Sequence, residues 1–166
     1  MKDQVDKIVG QWGEERPDLD PSPLAILARV ARLSKHIANS LRETLAPFGL
    51  DVWSFDVLGA LRRQGEPFAM TPTELRRTTI LTSGAMTNRI DRLEARGLVQ
   101  RAADPNDRRG IQVHLTAKGL ELIDEAVVAR LQSADQLVSR LNADERAQLA
   151  DLLRKLLLAA PLEAVH

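Results

Sequence analysis

Residues 71–116, TPTELRRTTILTSGAMTNRIDRLEARGLVQRAADPNDRRGIQVHLT, decide the fold. They begin with a capping box, in which Thr71 can accept from the third helical N–H while Glu74 reaches back to the cap. A second helix start follows at Thr82, and Gly97 stands where a helix commonly ends. The stretch therefore predicts a short helix and a longer one joined by a tight turn, the helix-turn-helix arrangement that inserts its second helix into DNA.

The longer of these two helices has one apolar and one polar face. Met86, Ile90 and Leu93 recur at helical spacing, so this face is predicted to be buried. Thr87 and Asn88 fall near the other side. We therefore expect a polar surface that begins at the first turn of this helix.

Two short apolar stretches follow, LVQRA at 98–102 and IQVHL at 111–115. Because Ile111, Val113 and Leu115 alternate, they predict a β-strand, and the pair predicts a β-hairpin. The connecting residues 104–110, DPNDRRG, form an extended and charged loop in this interpretation. Placed after a helix-turn-helix, such a hairpin is a wing.

Outside this centre the pattern is helical. Residues 4–15 predict a short amphipathic helix that carries Trp12, and the prolines of ERPDLDPSP end it. A long helix follows at about 22–47, and Asp51 can cap the next one. On the C-terminal side, Thr116 can cap a helix of some twenty residues.

The last helix is predicted to start at Asn142, with Glu145 three positions on. It has more leucines than one narrow core-facing seam needs, at positions 149, 152, 153, 156 and 157. Both long terminal segments therefore have apolar surface that a small domain cannot cover.

These elements predict a mainly α protein with a small β-hairpin, an α+β class. A winged helix-turn-helix at about 51–116 would be set on a frame of helices at about 22–47 and 117–158. An N-terminal helical arm, residues 1–20, would precede this domain of residues 21–158, and a tail, residues 159–166, would follow it.

Composition excludes several classes of protein. The chain has 44% hydrophobic and 28% charged residues, which is ordinary for a globular protein. It has no cysteine, so disulfides and thiolate zinc sites are excluded. The sequence has no run of eighteen apolar residues, and MKDQVDKIVGQW lacks the features of a secretory signal. We expect a cytoplasmic protein with no membrane partner.

The formal net charge is zero, but the charge is unevenly distributed. Between residues 71 and 119 nine Lys or Arg face five Asp or Glu. This excess is typical of a confined surface that binds a polyanion. A solvated basic surface without a partner would give the same count.

The sequence does not predict an enzyme. His36, His114 and His166 are far apart in the chain, and no zinc-protease motif, phosphate loop or nucleophile elbow is present. We therefore predict no catalytic residue, no metal site and no cofactor.

The pieces TPTEL, TNRIDRLEARGLVQR, DPNDRRG and VHLTAKG, in this order and spacing, resemble the MarR family of bacterial transcription regulators. The helical pattern extends the resemblance over residues 20–158. It implies an obligate homodimer, formed by the first and last two helices. Such a dimer binds a pseudo-palindromic DNA operator and commonly releases it on binding a small ligand.

The resemblance assigns DNA contacts to the helix-turn-helix. Ser83, Thr87 and Asn88 can donate to phosphates or reach base edges from the start of the second helix. The basic side chains of the same motif are assigned to contacts with the DNA backbone that position the protein, namely Arg76, Arg77, Arg89 and Arg92.

The resemblance also assigns a role in DNA binding to the charged hairpin tip. The family's Asp-x-Arg motif matches Asp107 and Arg109, in which the carboxylate holds a guanidinium that enters the minor groove. Arg108 is assigned to a backbone phosphate. The alternative is a solvated tip with an incidental ion pair.

The N-terminal helix and the phrase QWGEERPDLD resemble the PecS-like, urate-responsive branch of the family. That branch holds an anionic purine with a Trp, an Asp and two Arg. The matching positions are Trp12, Asp56, Arg89 and Arg101. A planar anion needs an aromatic partner and a guanidinium fork, which these residues supply.

The sequence thus predicts a repressor that a small aromatic or purine anion such as urate releases from its operator. Three alternatives stay open: another aromatic or phenolic anion as the effector, a DNA-binding regulator without a small ligand, and a helical protein–protein interaction module. In the second alternative Trp12 only fastens the arm to the body, Asp56 and an arginine form a structural ion pair, and Arg89 and Arg101 contact phosphate.

Overall fold

The computed structural model describes residues 2–78, 83–105 and 107–159. At residues 83–85, 108 and 109 it describes the backbone but not the side chains. Within these residues the chain is mostly helical with one small sheet, which confirms the predicted class. The helices are α1 Gln4–Glu15, α2 Ser22–Leu45, α3 Val52–Arg63, α4 Pro72–Thr78, α5 Ser83–Ala95, α6 Ala117–Leu137 and α7 Ala143–Ala159. The strands are β1 Ala69–Met70, β2 Val99–Asp104 and β3 Asp107–Leu115, and a 3-10 turn, Ala46–Phe48, follows α2.

The predicted helix starts are formed by local hydrogen bonds. Glu74 accepts from the backbone N–H of Thr71 at 2.7 Å, and the Thr71 hydroxyl accepts from the Glu74 N–H at 3.2 Å. The Thr116 hydroxyl accepts from the N–H three residues on at 3.0 Å. Asp51 and Asn142 cap α3 and α7 in the same way. The predicted cap at Thr82 lies outside the described residues.

Helix α5 ends at Ala95, and Gly97, the glycine predicted to stop it, lies two residues beyond with a φ of +68°. Its N–H donates to Glu94 O at 2.8 Å, and the Leu98 N–H donates to Leu93 O at 3.0 Å. This pair of bonds satisfies carbonyls at the helix end, and glycine takes the left-handed conformation without steric cost.

The sheet is antiparallel with the order β1-β3-β2, and it differs from the prediction in two ways. The strands run into the charged segment as far as Asp104 paired with Asp107, so the prediction of an extended loop was wrong. Strand pairing continues because polar side chains are tolerated wherever a strand faces solvent. The short strand β1 was also missed, since two residues cannot show alternation.

The chain divides into two compact units, one ending at Leu41 and one beginning at Arg42. In the first unit Val5 of α1 is buried, with 2% exposed, and side-chain bonds join α1 to α2. Arg29 of α2 donates to Asp3 at 2.9 Å and to Asp6 at 2.8 Å. The hydrogen bond from Arg29 holds the pKa of Asp3 below its ordinary value. The predicted division of the chain after residue 20 stays a prediction.

The core of the second unit joins the helix-turn-helix to the sheet. The side chains buried there come from every central element, and the largest are Leu45, Leu58, Leu61, Leu75, Ile90, Leu93, Leu98 and Ile123. At Gly119 helix α6 closely approaches Leu98, the residue before β2: an added Cβ would lie 2.0 Å from Leu98 O. The core therefore fixes α5 and the hairpin on a common support.

Helix α7 contributes nothing to this core. None of its described residues is buried, and its apolar side chains are exposed, namely Leu149, Leu152, Leu153, Leu156, Leu157 and Leu158. In α2 the single buried residue is Leu45, and its exposed apolar side chains include Leu24, Ile26, Leu27, Val30, Leu33 and Ile37. The surplus apolar surface predicted for both terminal segments is therefore present.

Candidate nucleic-acid interface and ligand site

Helix α5 buries one face and exposes the other. Met86 and Ile90 are 2% and 1% exposed, and they fasten the helix to the core. On the opposite side Thr87, Asn88 and Arg92 are exposed. These three side chains therefore project to solvent from a helix whose position is fixed by packing, which is what base or phosphate contact in a groove requires.

The other predicted DNA contacts lie on α4 and on the hairpin. Arg76 and Arg77 are exposed in the last turn of α4. Asp107 is exposed at the start of β3 and engages other groups. The side chains of Ser83, Arg108 and Arg109 lie outside the described residues, so their predicted roles stay predictions.

The hairpin is bonded to α5 through Arg101 of β2. Its backbone N–H donates to Glu94 at 3.0 Å, and its guanidinium donates to both Glu94 and Asp91. Desolvation would lower the pKa of Arg101, but the two carboxylates outweigh it and the pKa is raised. Arg101 is therefore a fully charged link between strand and helix.

The structure does not bring Arg101 next to Arg89. On a helix of 3.6 residues per turn, Asp91 lies about 160° and Glu94 about 140° around α5 from Arg89. Arg101 bonds to those two carboxylates, whereas the Arg89 guanidinium lies 5.2 Å from the centre of the Trp53 ring on α3. The two predicted ligand arginines thus occupy different flanks of α5, and a joint site stays a prediction.

Arg89 is half-buried, and its Nη1 has no hydrogen-bond acceptor among the described residues although it is buried. Trp53, its aromatic neighbour, is half-buried too. Trp53 recurs with Val57 and Leu61 at helical spacing, so the sequence pattern alone indicates a packing role for it. Its spacing from Asp56, three residues along the same helix, was the signal that could have assigned it to the site.

Asp56 has a carboxylate that reaches solvent at the surface of α3. Desolvation by neighbouring protein atoms raises its pKa above the ordinary value, and the charge of Arg63 opposes this rise. Among the described residues no ion pair joins Asp56 to Arg89. Asp56 therefore remains available to accept a hydrogen bond.

Trp12 belongs to the first unit, and the residue is 49% exposed. A hollow of about 310 Å³ lies beside it, lined also by Arg16, Leu19 and Leu24. An exposed indole is consistent with a stacking role, but its relation to Asp56 and the two arginines stays a prediction.

The second unit has a further cavity, which sequence reasoning missed. It has a volume of about 410 Å³ and lies between α3 and α6, where its lining includes Phe55, Arg63, Val127, Arg130 and Leu131. Nη1 of Arg130 is buried there without an acceptor among the described residues. No sequence signal identifies this cavity, because it depends on how the two helices pack.

Comparison with known proteins decides the family. A family model described as the MarR family matches residues 48–110. The regulator PecS of Dickeya dadantii is 33% identical over 150 residues, which are 90% of each chain. The chain belongs to the MarR family. Its fold class and the recognised resemblance are thereby confirmed.

Two solved structures of MarR-family proteins extend the likeness. An Escherichia coli MarR variant in complex with operator DNA matches with a TM-score of 0.69 and 30% identity, over 88% of this chain and 97% of that one. BpsR of Bordetella bronchiseptica matches with a TM-score of 0.69 and 30% identity, over 81% of this chain and 94% of that one. The DNA binding of BpsR is regulated by 6-hydroxynicotinic acid. The relatives of this MarR-family chain are transcriptional regulators and not enzymes.

Two further features are absent from the described part of this MarR-family chain. No helix there is both long and apolar enough to span a bilayer. No cluster of three or more His, Asp or Glu has the arrangement of a metal site in those residues.

Proposed function

We propose that the chain is a homodimeric, sequence-specific repressor that a small aromatic or purine anion, such as urate, releases from its operator. One observation carries the proposal. One face of α5 is apolar and buried in the core, whereas its opposite face is polar and exposed, as are the arginines of α4. A regulator of this kind acts where the chromosome lies, which for a bacterial protein is the cytoplasm.

In this proposal α5 enters the major groove. Thr87 and Asn88 read base edges there, and Ser83 donates to phosphate at the positive end of the helix. Charged contacts to the DNA backbone position the motif and come from Arg76, Arg77, Arg92 and Arg108. Arg109, oriented by Asp107, enters the minor groove.

The exposed apolar surface supports the dimer. A helix such as α7, with six exposed leucines and no buried residue, is unfavourable in water as an isolated surface. A second copy with the same surface would cover it in a symmetric interface. Two recognition helices would then enter major grooves about 34 Å apart, on a pseudo-palindromic operator.

The effector class has two independent supports. BpsR, one of the relatives described above, responds to an aromatic acid, and this chain holds a half-buried guanidinium against an indole with an accessible carboxylate nearby. Urate is a planar anion that fits the predicted set of Trp12, Asp56, Arg89 and Arg101. Another aromatic or phenolic anion is the second candidate.

Fluorescence anisotropy with the DNA upstream of the protein's own gene tests the regulator. We expect affinity for this DNA to exceed affinity for scrambled DNA. If six or more phosphates are contacted, the affinity should fall by a factor of about 10³ or more between about 50 and 200 mM salt. Binding without sequence preference, or without salt dependence, would count against a sequence-specific regulator.

Isothermal titration calorimetry tests the effector. Urate, salicylate and 6-hydroxynicotinate should be titrated in parallel, followed by anisotropy with each. Heat with urate alone, together with release of DNA, is the expected result. No heat with any of the three, with intact operator binding, would leave a regulator without a small ligand.

A further inference from the structure

The N-terminal arm is joined to α2 through the first turn of α1. Arg29 of α2 donates to Asp3 from Nε at 2.9 Å and from Nη2 at 3.0 Å. Nη2 of Arg29 also donates to Asp6 at 2.8 Å. Asp3, Asp6 and Arg29 thus form an arm clasp between the two helices. Nearly one turn further along α2, Arg32 donates to the side chain of Gln4 at 2.6 Å.

The guanidinium of Arg29 is oriented by its own helix. Its Nη1 donates to Ala25 O, one turn earlier in α2, at 2.8 Å. Each of the three guanidinium nitrogens therefore has an acceptor, and the arm supplies the acceptors of two of them. A planar fork with several bonds fixes the orientation of its partners more strictly than a lysine ammonium does. Arg29 can therefore set the direction of α1 as well as hold it.

The two carboxylates of the arm clasp also start helix α1. Asp3 accepts from the N–H groups of Val5 at 2.8 Å and Asp6 at 3.0 Å, and Asp6 accepts from the Asp3 N–H at 2.7 Å. A helix of twelve residues is marginal on its own in water. Because the same side chains start α1 and attach it to α2, we expect the helix to form and to dock together.

Apolar packing of the arm is confined to a few residues. Val5 of α1 is buried and Val9 is half-buried, whereas Trp12 is 49% exposed. A hollow of about 480 Å³ lies beside the arm clasp, where its lining includes Leu33 and His36. Within the residues that the structure describes, the side-chain bonds between α1 and α2 all involve the first turn of α1. Trp12 therefore depends on that turn for its position.

We propose that Arg29 is a positioning residue, which docks the arm through the arm clasp and thereby fixes the place of Trp12. The arm is then either docked with α1 formed, or released with α1 unfolded. The side chains of the arm clasp are 36–52% exposed, so salt screens their ion pairs and favours release. The inference rests on the proposed function only for the part that Trp12 plays in effector binding.

Hydrogen exchange of residues 4–15 in the full-length protein tests the docking without any ligand. We expect Arg29→Met to speed the exchange at least about fivefold, the size expected for two exposed ion pairs. Arg29→Lys should restore part of the protection, because lysine keeps the charge but lacks the fork. Arg32→Met is the matched control, since it removes an arginine of the same helix that bonds to a neutral amide, and it should change the exchange less than about twofold.

Fluorine NMR follows Trp12 and covers the case in which Arg29→Met does not fold. The chain has two tryptophans, so 5-fluorotryptophan gives two resonances that Trp12→Phe assigns. In wild type the Trp12 resonance should move between about 0.1 and 1 M NaCl, where the Debye length falls from about 10 to about 3 Å. Trp53 is the internal reference and should not move. Unchanged protection in Arg29→Met, or a Trp12 resonance that salt does not move, would overturn the inference.

Urate calorimetry connects docking to the effector. We expect Arg29→Met to weaken urate binding at least about threefold and to leave operator affinity within about twofold of wild type. Unweakened urate binding with a released arm would separate Trp12 from the effector and overturn that part of the inference. If wild type binds no urate and Arg29→Met still releases the arm, the effector part of the proposed function fails while the docking role of Arg29 is supported.

Discussion

Arg101 donates to the carboxylate of Glu94 from both its backbone N–H and its guanidinium. The bond joins the first strand of the wing to the recognition helix, and Asp91 accepts a second bond from the same guanidinium. Because helix and wing are linked by side chains as well as by the chain, a displacement of α5 carries the hairpin with it. A ligand that binds α5 could therefore affect both DNA-contacting elements together.

We expect Glu94→Ala and Arg101→Met to be coupled in a double-mutant cycle of unfolding. The coupling should be about 0.5–1 kcal/mol, because the Arg101 side chain is 27% exposed and solvent screens the pair only in part. Operator affinity should fall in both single variants. The pair Asp151 and Arg154 on α7, 71% and 64% exposed, is the matched control and should show less coupling. Equal coupling in both pairs would contradict a special role for Arg101.

We expect Gly119→Ala to destabilise the protein by about 1–3 kcal/mol. The new Cβ would lie 2.0 Å from the backbone oxygen of Leu98, so α6 or β2 must move. The control is Gly10→Ala in α1, where nothing lies within 4 Å and alanine should be neutral or slightly stabilising. Urea unfolding at a fixed protein concentration measures both. Equal stability of the two variants would show that α6 shifts without cost.

The fold was predictable where its signals are local. Thr71, Asp51, Thr116 and Asn142 all cap helices as predicted, because a cap is decided by a few neighbouring residues. Strand β1 was not predictable, since Ala69 and Met70 pair with β3 only through tertiary contact. The length of the wing strands was underestimated for a related reason: pairing up to Asp104 depends on its partner strand and not on an apolar pattern.

The residues of the candidate site were assigned from the resemblance and stay predictions, and the structure adds their neighbours, which the sequence could not give. The resemblance assigned Arg89 and Arg101 to one ligand, yet each has a different neighbour: Trp53 for Arg89 and Glu94 for Arg101. Helical spacing alone gives the side of α5 from which a long side chain starts. It does not give the group that its guanidinium reaches, because an arginine can extend over several ångströms.

We expect Asn88→Ala to reduce discrimination between operator and scrambled DNA by about 1–3 kcal/mol, if Asn88 reads a base edge. Its exposed position on a helix fixed by Met86 and Ile90 leaves the fold unaffected. Arg92→Ala should instead weaken binding to both DNAs equally and lower the salt slope by about one. Competition anisotropy at several salt concentrations separates the two. Uniform weakening by Asn88→Ala would assign it to phosphate.

We expect Arg109→Ala to weaken binding most on operators flanked by A·T pairs, because a narrow minor groove concentrates negative potential. The loss should be at least about tenfold there and smaller with G·C flanks, as measured by anisotropy on the two DNAs. Arg140→Ala, which removes an exposed arginine between α6 and α7, controls for net charge. The same loss on both DNAs would make Arg109 a simple phosphate contact.

We expect Asp56→Asn to make the protein slightly more stable and less responsive to urate at neutral pH. Desolvation raises the pKa of Asp56, so the folded chain binds this proton more tightly than the unfolded chain. The stability of wild type should therefore fall as the pH rises from about 3.8 through the raised pKa, and Asp56→Asn lacks this loss. The gain should stay below about 1 kcal/mol, because the carboxylate reaches solvent.

Asp18→Asn is the comparison variant, because the stability contributed by Asp18 depends on pH in the opposite direction. The hydrogen bond from Arg16 lowers the pKa of Asp18. Ionised Asp18 therefore stabilises the folded chain at pH values above its ordinary pKa, and this stabilisation is lost as the pH falls through the lowered pKa. Thermal unfolding between about pH 2 and 8, with urate calorimetry at pH 7, measures these effects. A stability gain in Asp56→Asn that does not shrink toward pH 4 would remove carboxylate desolvation as its cause. Undiminished urate binding would remove Asp56 from the site.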